Sequence, residues 1–204
     1  MNISTQQHDA LVELLNIGFG KAGASLSRLT GQRVLLEVPV VAVHPVDQMN
    51  AALAEIAQGD VASVHQVFTG PVAGDALLMM SPAGAATLTE LLTDQPPLPL
   101  ELDTSAREVL TEVGNVLLNA CIGTFGNLLK VPIGFLVPEI DLVRMQQVIE
   151  RFTAGGDAHR YALVVTSAFR LRDAAVTGYV VIVMTVQSLS RLLTAIDSWE
   201  REQG

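Results

Sequence analysis

The chain has 204 residues, half of them apolar, which is enough to bury a large core in one domain or two fused halves, and its mean hydropathy of +0.41 is high for a soluble protein. A net charge of −9, with 12 basic residues scattered singly, repels a phosphate backbone and argues against nucleic acid as a partner. A long uncharged run, Ala174 to Ser190, is interrupted by Thr177, Gly178, Thr185, Gln187 and Ser188 and so reads as buried strand rather than membrane span. No basic and apolar leader opens the chain, which makes the cytoplasm the expected compartment.

Taken in order, Asp9 to Arg28 places Leu11, Leu14, Leu15, Gly18, Ala22 and Leu26 on one stripe, which predicts a long helix ending near Gly31. Val34 to Val43 reads as a strand, and Asp47 to Gln58 as a short helix. Val61 to Phe68 and Asp75 to Met80 form a hairpin through Thr69, Gly70, Pro71 and Gly74. A helix begins at Pro82 and carries Leu88, Leu91 and Leu92, after which Pro96, Pro97 and Pro99 mark a connector. The order then repeats. A helix from Thr104 to Leu129 precedes a strand from Ile133 to Ile140, a helical stretch from Leu142 to Phe152 and a turn at Gly155, Gly156 and Asp157. Strands at Arg160 to Leu171 and Ala175 to Val186, joined at Arg172 and Asp173, and a helix from Ser188 to about Glu200 complete the chain. Strands that follow one another through tight turns pair antiparallel, so the expected class is α+β. The expectation is one domain, residues 1–204, of two pseudo-symmetric halves (about 1–95 and 100–204), with some six largely antiparallel strands and the long helices on one face.

What the halves share beyond apolar scaffolding is polar. Asp9, Glu13, Asn16 and Pro39 in the first half correspond to Glu108, Glu112, Asn115 and Pro138 in the second, each pair of equivalents 99 positions apart. Spacings of four and three bring the acid, the Glu and the Asn to one helix face, where they can meet one ligand together. Taken singly, such residues are a solvated surface, but a core-facing periodicity gives no reason for Glu and Asn to recur at the same places. Gly18, Gly20 and Gly23 also spell G-x-G-x-x-G, but inside a helical stripe, with no parallel βαβ pattern and with Glu37 too near and within a strand to serve as the ribose acid. His8, His44, His65 and His159 lack metal-ligand spacing, and the lone Cys121, between Ala120 and Ile122, reads as a buried thiol. Neither a metal nor a cofactor is expected on this chain.

The doubled pattern resembles that of the CheC family of bacterial chemotaxis phosphatases, specifically the two-site members of the CheC, CheX and FliY group. In that family each half carries Asp or Ser, three residues, Glu, two residues, Asn, then twenty-two residues and Pro. Leu15 to Ala22 is also similar to the family's Asn-Ile-Gly-rich helix, and the match in halves, turns and length covers essentially the whole chain. Glu108 departs from the usual Asp or Ser, and the surroundings of Phe19 and Lys21 depart from the small or amide residues common there.

The resemblance implies hydrolysis of the phosphoaspartate of a response-regulator receiver domain, typically phospho-CheY, and in some members binding to the deamidase CheD. It implies catalytic roles for Glu13, Asn16, Glu112 and Asn115, contacts from Asp9 and Glu108, and a Mg2+ ion that belongs to the receiver. The rival reading is a non-enzymatic receiver- or CheD-binding module, or a flagellar-switch component of the same fold.

Overall fold

The computed structural model describes residues 3–53, 59–93, 104–153, 160–171 and 174–203. The first long helix, α1 (Thr5–Thr30), starts earlier than its apolar stripe because Ser4 and Gln7 form a reciprocal cap: Ser4 Oγ accepts from the Gln7 amide and Gln7 Oε1 from the Ser4 amide, both at 3.1 Å. It stops at Gly31, whose φ of +67° is left-handed. After β1 (Val34–Pro45) come a 3-10 turn at Val46–Gln48, a short α2 (Met49–Ala52), the hairpin β2 (Asp60–Thr69) and β3 (Gly74–Met80), and α3 (Pro82–Thr93). The second half supplies α4 (Thr104–Leu129), β4 (Gly134–Phe135), β5 (Glu139–Arg144), α5 (Met145–Thr153), β6 (Arg160–Leu171), β7 (Ala174–Thr185) and α6 (Val186–Gln203). The far part of the helix expected over 47–58, the proline connector, the turn at Gly155 to Asp157 and the junction Arg172–Asp173 lie outside the described residues.

The class is α+β and every strand pairing is antiparallel. The sheet runs β1-β6-β7-β3-β2-β4, with β5 also on β2. Exchanging the halves reverses this order, so a pseudo-twofold axis falls between β3 and β7, whose register runs from Gly74 opposite Met184 to Met79 opposite Tyr179. The first strand of each half pairs with the second strand of the other: β1 lies along β6, and β4 and β5 lie along β2.

Two expectations are corrected. The strand foreseen over Ile133 to Ile140 is two strands, which gives seven rather than about six, and the helix foreseen from Leu142 starts at Met145, because Leu142 to Arg144 still belong to β5. The break is a bulge. Phe135 sits opposite Phe68 and Glu139 opposite His65, so one extra residue is accommodated around Leu136, Val137 and Pro138. β1 has the same insertion at the same place, between Glu37 opposite Ala168 and Val40 opposite Thr166, and Pro39 lies in it. A proline in a bulge forfeits no ladder hydrogen bond, which accounts for the recurring Pro on structural grounds.

Alternation along the strands divides the core. Ala62, Val64 and Phe68 of β2, with Ala76, Leu78 and Met80 of β3, face the long helices, whereas Val61, Leu77 and Met79 face a smaller core with α2 and α5. β3 and β7 are thus buried on both faces, which is why Tyr179 to Val183 reads as an unbroken apolar run. Among the described residues α4 is the one helix long and apolar enough to span a bilayer, yet 56% of its most apolar window is buried within the protein. It crosses α1 at a close approach, where a Cβ on Gly18 would stand 3.0 Å from Cys121 Cα and 3.2 Å from the Ala120 carbonyl oxygen.

Candidate functional site

The buried stripe of α1 turns Asp9, Glu13 and Asn16 outward, and all three are exposed. Just before them, His8 Nε2 donates to the Val41 carbonyl at 2.8 Å, and its Nδ1 lies 3.6 Å from Asp9 Oδ1. The second half reproduces this tie at equivalent positions with a different residue: Arg107 Nη1 donates to the Ile140 carbonyl at 3.1 Å. Each long helix is therefore pinned near its start to the strand just past the bulge, and the Glu and Asn follow along that face. Asn16 has no side-chain hydrogen bond among the described residues, so its amide oxygen and nitrogen are both open to a ligand.

The second pair is not a copy of the first. Glu108 and Glu112 are exposed, but Asn115 is half-buried. Asn115 Oδ1 accepts from Asn119 Nδ2 at 2.8 Å and, more weakly, from Gln66 Nε2 at 3.4 Å. Gln66, 2% exposed and projecting from β2, also donates through Nε2 to the Leu136 carbonyl at 3.0 Å. At the equivalent place in the first half, buried Ser167 on β6 donates through Oγ to the Glu37 carbonyl at 2.8 Å. Gln66 and Ser167 thus both hold the residue at the start of the bulge, but only the longer Gln66 also reaches the helix asparagine.

The repeat could not have pointed to these partners. Asn119 falls opposite Gly20 and Gln66 has no polar twin of its own length, so a search for recurring polar residues passes over both. The Asn115 to Asn119 spacing of one helical turn was the available signal. Around the bulges the surface is apolar and open: Val40, Leu136 and Val137 are exposed, Val137 by 85%.

The other readings resolve through packing. Gly18 and Gly23 of the G-x-G-x-x-G string lie against the backbone of Cys121 and of Val34, inside a helix, with no strand-to-helix turn to cradle a phosphate. Cys121 is fully buried, and burial pushes its thiol well above the usual range, which removes it as a nucleophile at neutral pH. His65, on the face toward α5, lies 2.9 Å from Asp75 Oδ1 and edge-on to Phe152 beside a cleft of about 270 Å3 that Ser63, Asp141, Gln147 and Arg151 also line. Among the described residues no three His, Cys, Asp or Glu side chains converge to hold a metal.

No protein-family model matches the chain. Solved structures do. FliY from Thermotoga maritima superposes with a TM-score of 0.78 at 17% identity, covering 97% of this chain and 99% of that one. The FliM middle domain from H. pylori gives 0.62 at 11% identity, over 95% and 99%. A chain of the CheX-CheY-BeF3-Mg2+ complex from Borrelia burgdorferi gives 0.50 at 16% identity, over 82% and 96%. The chain therefore has the fold of the CheC, CheX and FliY group, which it shares with the FliM middle domain.

Proposed function

We propose that this chain is a phosphatase acting on the phosphoaspartate of a CheY-like receiver domain in chemotaxis or two-component signalling in the cytoplasm. The observation that carries the reading is the recurrence of Glu13 with Asn16, and of Glu112 with Asn115, on the outer faces of equivalent helices pinned beside equivalent bulges. An acyl phosphate is labile, and its hydrolysis asks chiefly for positioning and charge stabilisation, so no nucleophile need come from this chain. An asparagine amide set beside the phosphoryl group holds a water in line for attack. The neighbouring glutamate pairs with the receiver's active-site lysine and fixes the approach, with Asp9 and Glu108 extending the contact. The Mg2+ belongs to the receiver, and the CheX complex that contains CheY, BeF3 and Mg2+ supports a receiver as partner for this fold. CheD is a further partner in this reading. Phosphate release from a phosphorylated CheY-type receiver, followed with and without the protein, tests the proposal: accelerated release is expected, and an unchanged rate despite binding contradicts it.

The likeness to the FliM middle domain favours a second reading, a receiver-binding module or flagellar-switch component without activity. The same assay separates the two, since such a module binds the receiver and leaves its phosphoryl lifetime unchanged.

A further inference from the structure

At the second pair the direction of every amide is dictated from the backbone outward. The Leu136 carbonyl can only accept, so the Gln66 atom 3.0 Å from it is Nε2, and that contact fixes the buried carboxamide. The other Nε2 hydrogen reaches Asn115 Oδ1 at 3.4 Å, and Asn119 Nδ2 reaches the same oxygen at 2.8 Å. Two donors occupy both lone pairs of that oxygen, so Asn115 turns its carbonyl inward and offers only its Nδ2 hydrogens outward. Gln66 Oε1 and Asn119 Oδ1 are buried without a hydrogen-bond partner, an arrangement that stability alone does not favour. Nothing comparable restrains Asn16. Gly20 stands where the second half has Asn119, and the Ser167 hydroxyl is given to the Glu37 carbonyl.

We propose that Gln66 and Asn119 are positioning residues that make the two sites chemically unequal, the first site carrying most of the turnover. The proposal rests on the phosphatase reading. A water attacking phosphorus in line keeps a lone pair for the phosphorus and gives a hydrogen to an acceptor. Asn16 offers its Oδ1 for that hydrogen, whereas Asn115 offers its own only after leaving two donors. The second site still docks a receiver through Glu112, which is exposed.

The test uses single-site versions of the full chain and a CheY-type receiver phosphorylated with acetyl phosphate and freed of excess reagent. With the first site disabled by Asn16→Ala, adding Gln66→Met and Asn119→Ala is expected to raise turnover at saturation roughly fivefold, the factor equivalent to one net hydrogen bond, with KM unchanged. A role in folding alone would not raise kcat. The reciprocal change avoids the core: a Cβ at Gly20 meets nothing within 4 Å, so Gly20→Asn places a second carboxamide beside Asn16. In an Asn115→Ala background it is expected to lower saturated turnover by a similar factor. Equal turnover by the two single-site proteins, or a Gly20→Asn variant as fast as its parent, overturns the inequality and leaves the phosphatase reading standing. No phosphate release by the unsubstituted protein from a receiver it binds overturns both.

Discussion

Asn16 and Asn115 occupy one place in the repeat, and the roles proposed for them and for Glu13 and Glu112 differ in when each interaction forms. A charged contact from Glu13 to a lysine exists before and during transfer, so it contributes to docking, while an ordered water counts only on the way to the transition state. In a protein whose second site is disabled by Asn115→Ala, Glu13→Ala should weaken affinity for the phosphorylated receiver by about 1.5–3 kcal/mol, the range for a hydrogen bond to a charged group. Asn16→Ala should lower the saturated rate instead, and Asn16→Ala with Asn115→Ala should leave almost no activity in a protein that still folds, because exposed amides add little to stability. Titration of the receiver and rates at saturation check these in turn. An unchanged affinity in Glu13→Ala, or an intact saturated rate in Asn16→Ala, would reassign the pair. The polar pattern was legible in the sequence because duplication wrote it twice. Gln66 and Asn119 were not, because the core contact they make exists in one half only.

At the scale of elements, the two long helices follow from periodicity and caps, and the halves differ where equivalent positions differ in conformational freedom. Gly31 ends α1 in the left-handed region, and 99 positions on, Lys130 takes the same conformation with φ of +53° at the end of α4. A side chain there is strained, so Lys130→Gly should stabilise the protein by about 1 kcal/mol, seen as a later denaturant midpoint. The α1 and α4 crossing gives a matched pair. Gly20→Ala adds helix propensity in open space and should stabilise by about 1 kcal/mol. Gly18→Ala adds the same propensity but drives a Cβ against Cys121 and Ala120, an overpacking of about 1–3 kcal/mol, so its midpoint should fall clearly below that of Gly20→Ala. Equal midpoints would contradict the tight crossing. The bulge that splits β4 from β5 was hidden by composition: Phe135, Leu136 and Val137 continue an apolar run, yet Leu136 and Val137 point to solvent. Leu142 and Val143 in turn mimicked a helix start because they lie on opposite faces of an edge strand, each half-buried.

The whole molecule is where local pattern says least, since nothing in either half's own sequence announces that its first strand pairs with the other half. The tandem reading leads one to expect halves that fold separately and then dock, but the strand order weaves them together. In residues 1–95 alone, β1 would lose β6, β3 would lose β7 and β2 would lose β4 and β5, leaving only the β2 and β3 hairpin, which is marginal by itself in water. The apolar faces that α1 and β3 bury against α4 and β7 would also be bared, together with unpaired strand edges that invite aggregation. Residues 100–204 face the same losses in mirror order. Each fragment expressed alone should therefore give no cooperative unfolding transition, whereas the two expressed together should assemble one to one, with a near-ultraviolet circular dichroism spectrum like that of the intact chain. Because the helices that carry Glu13, Asn16, Glu112 and Asn115 pack on each other, that assembly should also regain whatever receiver binding the intact chain shows. A first fragment that melts cooperatively by itself would mean that the exchanged strands are dispensable, and that each half carries enough core to stand alone.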